Sequence, residues 1–199
     1  MFLNFRILTI QTNKGTRIMD IKLTNVRLSF ANIWHKSTAK GYEDSEPKYS
    51  MTVLIDKKDP QAEMLKNAIE QIKKGAHPFP ESKWEKICFF DGDTSSKAED
   101  SEGNRYAGYE GHYAIKLTSK LKFLIVDKDL TRVEEDDNRI YSGCYINVKF
   151  SLLGYKDRKA ICGFIKGVQF ARDGEAFGSA EQSADQMFDN IADAEIQDI

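Results

Sequence analysis

The one pair of carboxylates at metal-ligand spacing is Asp91-Gly92-Asp93. Two such side chains can offer a divalent cation hard oxygen ligands. Together with Ser95 and Glu102 they occupy positions one, three, five and twelve of a calcium loop. Position six is Ser96, where the sharp turn requires glycine, and no helix clearly flanks the stretch. A solvated Asp-Gly turn is the commoner reading. His35, His77 and His112 are dispersed and match no zinc spacing. No GxGxxG, phosphate loop or nucleophile elbow is present. A metal-dependent nuclease using Asp91 and Asp93 is therefore the alternative reading. The leading one needs no catalysis and no cofactor.

A second constellation is larger. Proteins that hold single strands without sequence preference need cations along a groove and aromatic faces on which bases stack. The loop before the second strand offers Trp34, Lys36 and Lys40. The 104–122 region offers Arg105, Tyr106, Tyr109, Lys116, Lys120 and Lys122. The polar face of the 143–155 strand offers Tyr145, Lys149 and Tyr155. Any one of these tyrosines is equally well explained as a cap on the core with its hydroxyl at the surface. The interleaving of basic and aromatic residues over several strands is what points to a nucleic acid.

The elements that must position these residues follow from periodicity. Ile21–Phe30 reads as a strand with Val26, Leu28 and Phe30 on one face. Residues 31–47 read as a polar loop exposing Trp34. Residues 48–55 alternate again, with Tyr49, Met51, Val53 and Ile55 on one face and Lys48, Ser50 and Thr52 on the other. Asp59-Pro60 opens a helix, because proline fits the first helical position. Met64, Leu65, Ala68, Ile69 and Ile72 then make one apolar stripe, and Gly75 ends it. Residues 76–111 read as mostly irregular, with 91–109 a long surface loop. His112–Thr118, Leu121–Val126, Gly143–Tyr155 and Lys159–Phe170 read as strands. Gly163 and Gly167 allow a bend in the last of these. Five or six strands and one helix, mainly β, suit an OB-fold-like five-stranded barrel. The rival is a generic α+β sandwich.

Charge divides the chain. Residues 173–199 hold eight of the 31 acidic residues and none of the 29 basic ones, so the body carries about +6 beneath a net charge of −2. Such a tail reads as a solvated interaction segment, expected to be flexible beyond Gly178. It would be either a solubilising end or a competitor for whatever polyanion the body binds. Three parts are expected: 1–18, an extension foreign to the native chain; 19–178, the binding domain; and 179–199, the acidic tail. Residues 1–18 carry no signal-peptide cleavage pattern. No apolar run approaches the roughly 18 residues of a membrane span. Cys88, Cys144 and Cys162 form no CxxC and read as reduced thiols of a cytoplasmic protein.

Several segments together resemble a known family. They are NVRLSFANIW (25–34), KYSMTVLIDK (48–57), FFDGD (89–93), IYSGCYINVKFSLLGY (140–155) and GFIKGVQFARDGEAFG (163–178). Over about Asp20–Gly178 the chain resembles the OB-fold single-stranded-DNA-binding proteins of tailed bacteriophages, first catalogued as a domain of unknown function. The resemblance implies a protein that coats single strands in phage replication or recombination, in the host cytoplasm, with an acidic tail contacting replication proteins. The tail departs from the pattern in one respect. It ends at Ile199 without a terminal aromatic, and Phe188 lies eleven residues inside.

Overall fold

A computed structural model describes residues 7–13, 16–38, 44–75, 84–155 and 159–178. Its strands are β1 (Ile7–Asn13), β2 (Thr16–Ser37), β3 (Lys48–Asp56), β4 (Lys86–Ile87), β5 (Phe89–Asp91), β6 (His112–Ser119), β7 (Leu124–Val126), β8 (Tyr145–Tyr155) and β9 (Ala160–Arg172), with one helix, α1 (Pro60–Gly75). Five of them close a barrel. β9 pairs antiparallel with β8, β8 with β2, β2 with β3 and β3 with β6, and β6 returns to β9 in parallel register. Closure leaves no free edge among these five. The expected barrel with one helix is the fold observed among the described residues.

One strand makes closure possible. β2 is 22 residues long and pairs with β8 along one stretch and with β3 along the next. Register shifts fall between Leu23 and Val26 and between Ser29 and Asn32. Each contains a residue in the left-handed region, Asn25 at φ 51° and Phe30 at φ 49°. Bulges of this kind bend a strand and redirect its side chains. The backbone groups freed by the first are satisfied locally. Gln61 of α1 accepts from Thr24 N–H at 2.8 Å and donates to Thr24 C=O at 3.0 Å, and Asn147 accepts from Asn25 N–H at 2.9 Å.

The barrel interior is filled from every wall, by Ile21, Leu23 and Leu28 of β2, Met51 and Val53 of β3, Ile115 and Leu117 of β6, Val148 and Phe150 of β8, and Phe170 of β9. The stripe of α1 (Leu65, Ala68, Ile69 and Ile72) is buried in the same core. Asp59 caps the helix, its side chain accepting from Gln61 N–H at 2.8 Å.

Three expectations are corrected. Phe30 does not share a face with Val26 and Leu28, because the bulge at Phe30 turns its ring outward; it is 43% exposed while they are buried. Residues 31–37 continue β2, and Trp34 is half-buried against the core rather than displayed on a loop. Residues 92–111 do not stand away from the body. Tyr109 and Ala98 pack onto Leu54 and Ala114, apolar residues on the outer faces of β3 and β6, to form a second small core.

Candidate nucleic-acid interface

That folded-over loop turns one side of the barrel into a groove. The floor is the outer face of β3 and β6, where Ser50 lies opposite Thr118 and Thr52 opposite Lys116. One wall is Phe30 with Tyr106, whose rings meet edge to face at 4.8 Å. Phe90 and Lys97 stand beyond them, with the Lys97 ammonium 5.6 Å over the Phe90 ring. Lys48, Glu46 and Asn32 line the remainder, and the groove encloses about 810 Å³. Its surface is thus apolar and aromatic with cations on the rim.

Phe30 is the unusual member. A bulky residue in the left-handed region is an outlier that costs about 1–2 kcal/mol and persists only when the surroundings hold it there. The result is an exposed ring braced at its edge by Tyr106.

The sequence-derived residues divide among several places. Tyr106 and Lys116 line the groove. Lys36 sits 5.7 Å over the Tyr49 ring. Lys120 pairs with Glu46 at the mouth, and Lys122 is exposed on the loop that follows. Lys40 lies outside the described residues. Tyr109 does not fit a stacking role. It is 1% exposed. Burial pushes its hydroxyl's pKa up, against hydrogen bonds with Ser29 and Thr52. Its ring forms the base beneath Tyr106 and Phe90. Arg105 is a brace rather than a free cation, donating to the Gly92 carbonyl and pairing with Glu99 at 2.9 Å. Tyr145, Lys149 and Tyr155 lie on a different face, the outside of β8. There the Tyr145 ring is covered by the Arg172 guanidinium at 3.3 Å, so it offers a base no bare surface. Tyr155 lies beside Leu153 and Phe164 near the other end of β8.

Sequence reasoning missed Phe30, Phe90, Lys48 and Lys97. Leu54 was the available signal. It breaks the polar alternation on the outer face of β3 and therefore requires something to cover it.

At the groove mouth, Lys120 holds the Glu46 carboxyl below its ordinary range, with Lys48 and Lys36 adding to the pull. One carboxylate among three ammonium groups leaves a cationic rim. If phosphates take that place, Glu46 is a competitor. Glu46→Gln is expected to tighten oligonucleotide binding several-fold at low salt and hardly at all at high salt, where exposed charges are screened. Paired titrations of the variant and the parent protein at the two salt concentrations check this.

Asp91 and Asp93 find another use than metal ligation. The Lys57 ammonium lies 2.6 Å from an oxygen of each. Asp91 accepts from Asp93 N–H and Asp93 from Gly111 N–H, both at 2.8 Å. Ser95 accepts from Lys97 N–H. The cluster is a clamp that ties both ends of the 92–111 loop to the end of β3. Partial desolvation pushes the Asp91 pKa up, but Lys57 outweighs it and holds the carboxyl low; Lys57 and then Gly111 N–H do the same for Asp93. The two carboxylates in turn raise Lys57. Among the described residues, no three His, Cys, Asp or Glu side chains are placed to hold one metal ion. The nuclease reading has no support here.

The clamp carries its own pH signature. Depressed carboxylates stabilise the loop above the ordinary aspartate value of about 3.9, and that support is lost as pH falls through their lower folded values. The raised Lys57 contributes fully below about 10.4 and is lost only as pH rises through its higher folded value. Exchange protection of the Gly111 amide is therefore expected to be flat across neutral pH and to fall in acid. In Lys57→Met the two carboxylates repel each other, so protection should be lower at neutral pH and partly recover on acidification. An unchanged profile in the variant would remove the clamp.

Closed five-stranded barrel, inserted helix and an aromatic groove with a cationic rim together define an OB-type single-strand-binding architecture. A family model described as "Enterobacter phage Enc34, ssDNA-binding protein" matches residues 19–198, and the chain belongs to that family, the phage group which the sequence segments resemble. A relative from Acyrthosiphon pisum secondary endosymbiont phage 1, "Putative protein p50", is 30% identical over 189 residues, spanning 91% of this chain and 98% of its own. Among solved structures, the single-stranded DNA-binding protein from bacteriophage Enc34 in complex with ssDNA superposes with a TM-score of 0.63 at 22% identity, over 87% of this chain and 99% of that one. A further structure of the single-stranded DNA-binding protein from bacteriophage Enc34 gives 0.59 at 23% identity, over 90% and 97%. At these identities the superpositions speak for the fold. No helix among the described residues is long and apolar enough to cross a membrane.

Proposed function

We propose that this protein binds single-stranded DNA without sequence selection, laying bases against Phe30, Tyr106 and Phe90 and phosphates along Lys48, Lys97, Lys116 and Lys120. The observation that carries the reading is the exposed Phe30 ring, held at a costly backbone angle over an apolar groove with a cationic rim. Stacking is indifferent to sequence because every base has a π-face, and it is worth about 1–3 kcal/mol per base. Membership of the phage family supports the same ligand, and it supports a place in phage DNA replication or recombination within the bacterial host cytoplasm. The groove performs no reaction in this reading and needs no cofactor. The acidic segment 179–199, outside the described residues, would act beside it as a competitor for the groove or a contact for replication proteins.

The test is a titration of labelled single-stranded and duplex oligonucleotides of equal length. Single strands should bind more tightly, because only unpaired bases expose faces to the groove. Log affinity should fall linearly with log salt, with a slope set by the phosphates neutralised. Equal affinity for the two forms would sink the proposal.

A further inference from the structure

Outside the groove, the outer face of β2, β8 and β9 carries a second set of cations. Strand pairing sets Arg27, Tyr145 and Arg172 in one row and Lys22, Lys149 and Gly167 in another. Between them lie Asn25, Asn147 and Gln169, the last two joined by a hydrogen bond of 2.9 Å. Lys22 and Lys149 are exposed and directly opposed; among the described residues neither makes a close ion pair, and Lys149 has only the longer-range attraction of Asp20 to offset its charge. Like charges opposite one another on neighbouring strands destabilise a sheet. Asp20, the nearest acid along β2, is already held by Lys166 at 2.8 Å and Ser151 at 2.6 Å. Gly167 adds no side chain beside the two ammonium groups.

The first row is built differently but presents the same charge. Both guanidinium groups lie against the Tyr145 ring, Arg27 at 5.9 Å and Arg172 at 3.3 Å. Each spends two donors on fixed neighbours: Arg27 on the carbonyls of Gly143 and Glu175, Arg172 on Asn25 and the Asp173 carbonyl. A guanidinium has five N–H donors, so each is oriented with donors to spare. This face has cations and amides but no bare ring, a chemistry suited to phosphates and not to bases.

The two surfaces are contiguous. Phe177 packs into the small core that carries Tyr106 and Phe90, and the Arg27 guanidinium lies 4.1 Å over its ring. We infer that the Arg27–Arg172 and Lys22–Lys149 rows form a second track for the phosphate backbone, reached by a strand that leaves the groove across Phe177. This rests on the groove being the site where bases stack.

Oligonucleotides of about 8 and about 30 nucleotides separate the two surfaces, the shorter being within the span of one OB barrel. In the full chain, Lys22→Ala combined with Lys149→Ala should leave the short oligonucleotide unaffected and lower the salt slope for the long one by about two units. Phe30→Gly should weaken both. An unchanged slope for the long oligonucleotide overturns the track while leaving the groove intact. If the lysine variant weakens the short oligonucleotide and Phe30→Gly does not, the groove reading itself fails. Tighter binding of the long oligonucleotide by the lysine variant would mean that the rows hold the chain's own acidic segment instead, and would also overturn the track. Both lysines are exposed, so thermal melting should confirm that the variant folds as the parent does.

Discussion

Phe30→Gly is expected to lower affinity for a short single-stranded oligonucleotide by about tenfold or more while lowering thermal stability only modestly. One lost stack is worth about 1–3 kcal/mol, and 1.4 kcal/mol is a factor of ten. The loss should stay small because the two backbone effects oppose each other and leave mainly the ring contacts to count. Glycine adopts φ 49° without the roughly 1–2 kcal/mol that a side chain costs there. It also gives the unfolded chain more freedom to lose. The ring is 43% exposed, and its edge-to-face contacts with Tyr106 at 4.8 Å and Tyr109 at 6.5 Å are what the variant gives up. Alanine is the poorer probe, since it keeps the strain while losing the ring. Tyr106→Ala should weaken binding in the same direction but also cost stability, because that ring is half-buried against Tyr109 at 5.7 Å. Anisotropy titration beside a melting curve reads both quantities. Unchanged affinity in a well-folded Phe30→Gly protein would show that bases do not stack in this groove.

Removing residues 179–199 should strengthen DNA binding, by roughly tenfold at about 10 mM salt, with the gain fading towards 1 M as the Debye length falls from about 30 to about 3 Å. The removed segment holds six carboxylates and no lysine or arginine. The described part of the chain sets where it starts. Residues 173–177 are strapped back onto the body, with Phe177 N–H donating to the Ser142 carbonyl at 2.8 Å, Tyr141 donating to the Gly174 carbonyl at 2.9 Å and Arg27 to the Glu175 carbonyl at 2.8 Å. Glycines make the close approach possible. A Cβ on Gly143, at φ 111°, would overlap the Glu175 carbonyl oxygen, and one on Gly108 would overlap the Phe177 ring. The strap thus ends one residue past Phe177, which packs with Tyr106 in the small core beside the groove. A tethered anion there has a high effective concentration, of millimolar order for a short linker. Identical affinities of the truncated and full-length proteins at low salt would leave the segment as a solubilising end or a hook for partners.

Much of this was legible before folding. The alternation of 48–55, 112–118 and 143–155 and the apolar stripe of 64–72 identify the barrel walls and the helix, because side-chain period reports backbone type directly. The family segments named the ligand class. The site was only half legible. Tyr106 and Lys116 were found by composition. Tyr109, identical in kind and three residues from Tyr106, proved to be the buried support. Asp91 and Asp93 have the spacing of metal ligands, and nothing local reveals that Lys57, more than thirty residues earlier, closes on both.

The amino-acid sequence by itself determined the regular strands, the helix, the excess of cations in the body and the purely acidic charge of the last 27 residues, since each depends on residue type and local period. Tertiary structure decided which rings face outward. A side-chain alternation holds only while a strand is regular, and the bulges at Asn25 and Phe30 exist because β2 must bend to pair with β8 on one side and β3 on the other. That bend turns Phe30 out of the core and into the groove. It also parts the cationic residues between two faces of one barrel, a division that no count along the chain contains.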